Sequence, residues 1–255
     1  MKSGIRNIIC SLAVFFLLQA LSMAVMTAIF KLSGTPSAGN SYFTIASSAL
    51  FGVLALVVFL SMKWSVLQRH YLQTRPWDTL FWCVVAALGM VLPSSYLQEL
   101  LPLPNLIEEN LKSLVGNQWG YLVIGLLVPF AEEVVFRGAV LRMLLGIVRR
   151  RWVAIVLSAL IFSLAHLNPA QMPHAFLAGL LLGWLYARTD SIIPGVAFHW
   201  TNNVVAFFLA TVMPDPDAPL VVLFGGDQHA VYWSMLFSMM LFLPAIFQLN
   251  LRLRR

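Results

Sequence analysis

Charge is what this chain has least of. Only 10% of its 255 residues are Asp, Glu, Lys or Arg, against roughly 25% in an ordinary soluble domain, while 60% are hydrophobic. A water-soluble fold is excluded on that ground. Cysteine is nearly absent as well: Cys10 and Cys83 both fall in apolar runs, where a free thiol behaves as a small hydrophobe, so neither a disulfide framework nor a cysteine metal site is indicated. Segments of about ten residues with alternating hydrophobicity are missing, which removes a transmembrane β-barrel. The net charge of +6 is spread along the ends of apolar runs rather than gathered with aromatics on one face, which removes nucleic acid as a partner. No inverted internal repeat is apparent, and this weighs against a transporter.

What the chain does have is a series of apolar runs near the ~20 residues needed to cross a bilayer as a helix. The expected class is all-α, a polytopic membrane protein with about eight transmembrane helices, at 8–30, 42–62, 79–97, 119–149, 152–167, 172–187, 192–212 and 230–249. The first run is longer than the core of a cleavable signal peptide and reads as a retained span. Lys31 to Asn40 and the Pro/Asp-rich stretch from Met213 to His229 are loops, and 102–118 reads as a solvated connector with a short interfacial helix. Three parts follow within one integrated membrane domain: N-terminal helices and connector at 1–118, a polar core at 119–212, and the last loop and helix at 213–255. Eight spans put both termini on one side. Of 16 Lys and Arg, only Lys31 and Lys112 then fall on the other side. Positively charged loops stay inside, so both termini are expected in the cytoplasm and the protein in a plasma (inner) membrane, its other partner being the lipid bilayer.

Against this background the run Pro129-Phe-Ala-Glu-Glu-Val-Val-Phe-Arg137 stands out, because an ionisable group at bilayer depth costs about 2.5–3.5 kcal/mol. Glu133 and Arg137 are four apart and share a helical face, so they can neutralise one another. Glu132 points about 100° away and is free to enter a cavity. Counted from the Arg149-Arg150-Arg151 turn, Glu132 lies seventeen residues before Arg149 and His166 fifteen after Arg151. A helical hairpin therefore brings them to similar depth. His199 and Asn203 again share a face, about seven residues into their span, or roughly 10 Å from its cytoplasmic end. For Glu132 to reach that depth, the fourth and fifth helices should be long and protrude by a turn or two. A carboxylate, two imidazoles and an amide on three helices can activate water and stabilise an oxyanion. The set Glu132, His166 and His199 is also a candidate ligand group for a divalent metal such as zinc, although the zinc helix His-x-x-x-His is absent.

Three motifs in order, Glu132-Glu133-x-x-x-Arg137, Phe162-x-x-x-His166 and His199-x-x-x-Asn203, resemble those of the CAAX-protease and bacteriocin-processing (CPBP) intramembrane proteases, which include the type II CAAX prenyl endopeptidases. Phe176-x-x-Gly179 and the Thr189-Asp190-Ser191-Ile192 turn look like that family's linking sequence, and the likeness covers about 120–208. It implies that Glu132 and His166 activate the attacking water, that His199 and Asn203 stabilise the transition state or help hold a metal, and that Glu133 and Arg137 support them. It also implies a membrane-associated peptide or protein substrate, hydrolysed by a glutamate-dependent or metallo-endopeptidase through a cavity open laterally or toward the cytoplasm. The alternative from another class is a non-enzymatic membrane protein: a transporter, or an immunity or scaffold protein on a protease-like fold.

Overall fold

The computed structural model describes residues 2–73, 75–114, 116–212 and 218–253. Asp215 and Asp217 of the Pro/Asp-rich loop, and the terminal Arg254 and Arg255, lie outside the described residues. Eight helices correspond to the eight expected runs: α1 Lys2–Leu32, α2 Ser41–Ser61, α3 Trp77–Leu100, α4 Gln118–Ile147, α5 Arg151–Ala165, α6 Met172–Thr189, α7 Ile193–Val212 and α8 Gln228–Arg252. No strand occurs among the described residues. The protein is an all-α polytopic membrane protein.

Polar residues in the loops start and stop these helices. Asn40, Asn117 and Asp227 precede α2, α4 and α8, and each side-chain oxygen accepts backbone N–H groups of the first turn, which would otherwise lack partners in the helix. Asp190 closes α6 in the left-handed region at φ 53°, with its N–H donating to the Tyr186 carbonyl at 2.7 Å. Short helices lie at Glu108–Leu114, within the connector, and at Arg69–Gln73 and Leu220–Leu223, within loops, and a 3-10 turn lies at Pro169–Gln171 between α5 and α6.

Among the described residues, α1, α2, α3, α4 and α8 are the helices both long and apolar enough to cross a membrane by themselves. The other three, α5, α6 and α7, carry His166, His174, His199, Asn202 and Asn203 between them. Helix α5 is apolar but short, while His199 and Asn202 of α7 are buried inside the bundle. The fourth helix is long as expected, its 30 residues spanning about 45 Å at ~1.5 Å each. The fifth is not. With 15 residues it reaches about 22 Å, because Leu167 turns left-handed at φ 52° directly before Asn168-Pro169.

Two apolar clusters hold the bundle. One gathers α1, α2, α4 and α5 around Phe15, Phe51, Phe136 and Phe162. The other gathers α3, α6, α7 and α8 around Cys83, Met90, Leu182, Phe198 and Leu249. Helices α6 and α7 also contribute Ala175, Tyr186 and Val196 to the first, so they join the two halves. Gly179 and Gly183 lie against Ala159 and Ile155 of α5, and a Cβ at Gly179 would sit 3.0 Å from the Ala159 Cα. Their four-residue spacing thus serves close helix approach.

Candidate active site

Helix α4 is wound wide where it carries charge. Glu133–Leu141 is π-helical, a local form found frequently at functional sites. Within it Arg137 Nη1 donates to Glu133 Oε1 at 3.0 Å, with side chains 1% and 0% exposed. The guanidinium also lies over the Phe162 ring, 4.1 Å from its centroid, a cation–π contact that strengthens where water is excluded. Phe162 packs edge-on against Phe136, His166 and His199 as well. One phenyl ring therefore positions members of all three motifs.

The Glu133 carboxylate serves a second purpose. His199 Nδ1 lies 3.1 Å from Glu133 Oε1, and since a carboxylate only accepts, the imidazole donates there. The other ring nitrogen, Nε2, then faces Glu132 Oε2 at 3.6 Å. His199 stands between two carboxylates, one shared with Arg137 and one at a cavity. Gly195, one turn earlier on α7, makes room for this arrangement: a Cβ there would meet Glu133 Oε2 at 2.7 Å.

His166 sits at the C-terminal cap of α5 with Nδ1 2.9 Å from the Phe162 carbonyl. A carbonyl cannot donate, so Nδ1 carries the hydrogen and a neutral ring leaves its lone pair on Nε2. Glu132 and His166 line one cavity of about 160 Å³, walled also by Phe15 and Gln19 of α1 and by Ser48 and Phe51 of α2. Room for several waters exists there, at ~30 Å³ each.

Asn203 lies off the lining of this cavity. Its Nδ2 donates to the Ile124 carbonyl at 3.3 Å, inside the other π-helical stretch of α4, Val123–Leu127. Asn202 Nδ2 reaches both Asn203 Oδ1 at 3.5 Å and His174 Nε2 at 3.1 Å. Three residues here escaped the sequence reading: Gly195, Asn202 and His174. Only Asn202, adjacent to a polar residue in an apolar run, left a visible signal.

Among the described residues, no group of three or more His, Cys, Asp or Glu side chains is placed to hold a metal ion. In the set considered from sequence, His199 Nδ1 is engaged by Glu133 and His166 Nδ1 by a carbonyl. That engagement leaves Nε2 of each ring free, which is also how metal-ligating histidines are held.

A bundle of membrane helices encloses a buried carboxylate, two histidines and a small cavity, a set of groups that can activate water. Comparison with known proteins makes this more particular. Residues 115–205 match the family described as type II CAAX prenyl endopeptidase Rce1-like, a segment that contains all three motifs. The likeness is to an Rce1-like, CAAX-protease-type domain, and it falls on the membrane core. The UPF0177 protein YxdF of Lactococcus lactis is 24% identical over 165 residues, covering 60% of this chain and 88% of that protein. No solved structure matches.

Proposed function

We propose that this protein is an endopeptidase of the membrane interior, hydrolysing peptide bonds of membrane-associated or lipidated substrates with water activated by Glu132 and His166. The observation that carries the reading is the shared cavity: a carboxylate and an imidazole with its lone pair on Nε2 line the same small space. Water held between two acceptors gives up a proton as its oxygen bonds to the scissile carbonyl carbon. The C–N bond then breaks and the proton passes to the leaving amine. His199 is the natural donor to that chemistry. Its Nε2 lies 3.6 Å from Glu132 Oε2, so a hydrogen on that nitrogen is directed at the carboxylate that takes the proton of the water. Asn203 lies off the cavity and bonds the Ile124 carbonyl, so it supports the site by holding α7, and with it His199, against α4.

The match to the Rce1-like family supports a CAAX-type substrate, that is, a prenylated C-terminal tail; a leader peptide or membrane-protein tail fits the same chemistry. The distribution of Lys and Arg supports a plasma-membrane protein with both termini in the cytoplasm. The test is cleavage of lipidated and membrane-embedded peptide libraries by the purified protein, with and without chelator. Wild type should cleave, while Glu132→Gln and His166→Ala should lose about 10²- to 10⁴-fold with folding unchanged, and chelator should have no effect. A folded wild type that leaves every peptide intact, or a Glu132→Gln variant as active as wild type, sinks the proposal; loss of activity with chelator sinks its metal-free form.

A further inference from the structure

The motif-bearing helices form only part of the cavity wall; the remainder comes from α1 and α2, which carry none of the three motifs. Their polar side chains divide into two kinds. Ser11, Ser22 and Thr27 of α1 donate to carbonyls three or four residues back, at 2.8 Å in each case. In α2, Ser47 and Ser61 do the same at 3.0 and 3.1 Å. These hydroxyls are satisfied within their own helix and need no water. Gln19 and Ser48 make no such bond among the described residues, and they are the two polar residues of these helices that line the cavity with Glu132 and His166.

Gln19 is moreover exposed midway along a helix whose neighbouring exposed side chains, Phe16, Leu17 and Leu21, are apolar. An amide facing hydrocarbon with no partner costs several kcal/mol on the order of other unsatisfied polar groups. It is stable there only if it faces water or another polar chain. Packing shows where such a chain enters: α1 lies along α2 and touches α4 at the π-helical stretch, while α5 lies along α6 and touches the same stretch from the other side. Phe136 of α4 forms the floor between them, edge-on to Phe15 of α1 and Phe162 of α5.

We propose that Gln19 and Ser48 form the polar wall of a hydrated lateral entry between α1 and α5, and that they bind the backbone of the extended peptide presented to Glu132 and His166. A peptide unit offers one donor and one acceptor, and a glutamine amide supplies the complement of both. Gln19 and Ser48 are positioning residues here, since they touch the substrate's flank rather than the reacting atoms. This substrate role rests on the hydrolase reading; the hydration of the wall does not.

Two measurements separate these claims. In a Cys10→Ser/Cys83→Ala background in membranes, Gln19→Cys and Ser48→Cys should react with a small, charged, membrane-impermeant thiol reagent at least about tenfold faster than Leu17→Cys, which faces lipid, because the reactive thiolate forms only where water reaches. Equal, slow labelling at all three positions overturns the hydrated entry. With a lipidated peptide that wild type cleaves, Gln19→Leu should lower kcat/KM about tenfold through KM, leaving kcat within about twofold, as removal of a ground-state hydrogen bond does, and Gln19→Asn should restore part of the loss. An unchanged KM in Gln19→Leu overturns the substrate role. If wild type cleaves nothing while both cysteines label, the hydrolase reading and the substrate role fall together, and the hydrated wall stands.

Discussion

Two ion pairs in this molecule share a sequence spacing and nothing else. Glu133 and Arg137 meet at 3.0 Å with essentially no exposure, and Glu108 and Lys112 meet at 2.6 Å with side chains 44% and 40% exposed. Both are acid-to-base pairs four residues apart on a helix. The first has its charges taken wholly out of water, so each depends on the other and on what surrounds them: the Phe162 ring and His199. The second stands in solvent, where two charges at contact are worth a few tenths of a kcal/mol. Spacing decides that a pair forms; the apolar run around it decides whether the pair matters.

The largest effect is expected where the buried pair is broken on one side. Arg137→Met leaves the Glu133 carboxylate buried without its cation, and breaking such a pair costs about 3–5 kcal/mol, enough to prevent folding or lower the midpoint of thermal unfolding in detergent sharply. Adding Glu133→Leu removes the stranded charge, and buried pairs replaced by apolar residues often lose no stability. The double variant should therefore regain most of the midpoint. It should not regain peptide cleavage, because His199 Nδ1 has lost the acceptor that orients it. A single Arg137→Met variant within about 1 kcal/mol of wild type would show that the pair is not the structural element its burial indicates.

An intermediate effect is expected where α3 packs on α8, away from the buried ion pair. Helices α3 and α8 approach so closely at Gly89 that a Cβ would lie 2.6 Å from the Phe242 backbone nitrogen and 2.8 Å from the Ser238 carbonyl oxygen. Backbone cannot rotate aside as a side chain can. Gly89→Ala should cost about 1–3 kcal/mol, the range for overpacking, read again as a fall in the unfolding midpoint. Gly146, in the last turn of α4, has nothing within 4 Å of its would-be Cβ, so Gly146→Ala is the control and should be neutral or stabilising by up to about 1 kcal/mol. Equal effects at the two positions would mean that α3 and α8 can separate freely.

These contrasts also mark what could be read from sequence. The eight helices were legible because apolar runs of span length are hard to explain otherwise, and the Glu133–Arg137 pair because i to i+4 spacing fixes a shared face. The meeting of Glu132 and His166 at one cavity was legible by counting residues along a hairpin. The end of α5 was legible in Asn168-Pro169, but that a left-handed Leu167, not a glycine, makes the turn was hidden. The bond from His199 to Glu133 joins positions 66 apart, and no periodicity within either helix announces it. Gln19 and Ser48 were visible as polar letters in apolar runs, but which polar letters turn inward to their own backbone and which face a cavity is settled only by packing.

The smallest effect closes the comparison from its other side. Lys112→Ala removes the cation of the exposed pair, at the same spacing and in the same kind of helix as Arg137→Met. Its partner Glu108 stays exposed to water after the substitution, so the expected change in stability is within about 0.5 kcal/mol. Screening supplies a second check: at about 1 M salt the Debye length falls to ~3 Å, and whatever the exposed pair contributes should fade. The stability difference between wild type and Arg137→Met, whose charges salt cannot reach, should persist. If Lys112→Ala destabilised the protein as much as Arg137→Met does, burial would not be the quantity that separates the two pairs.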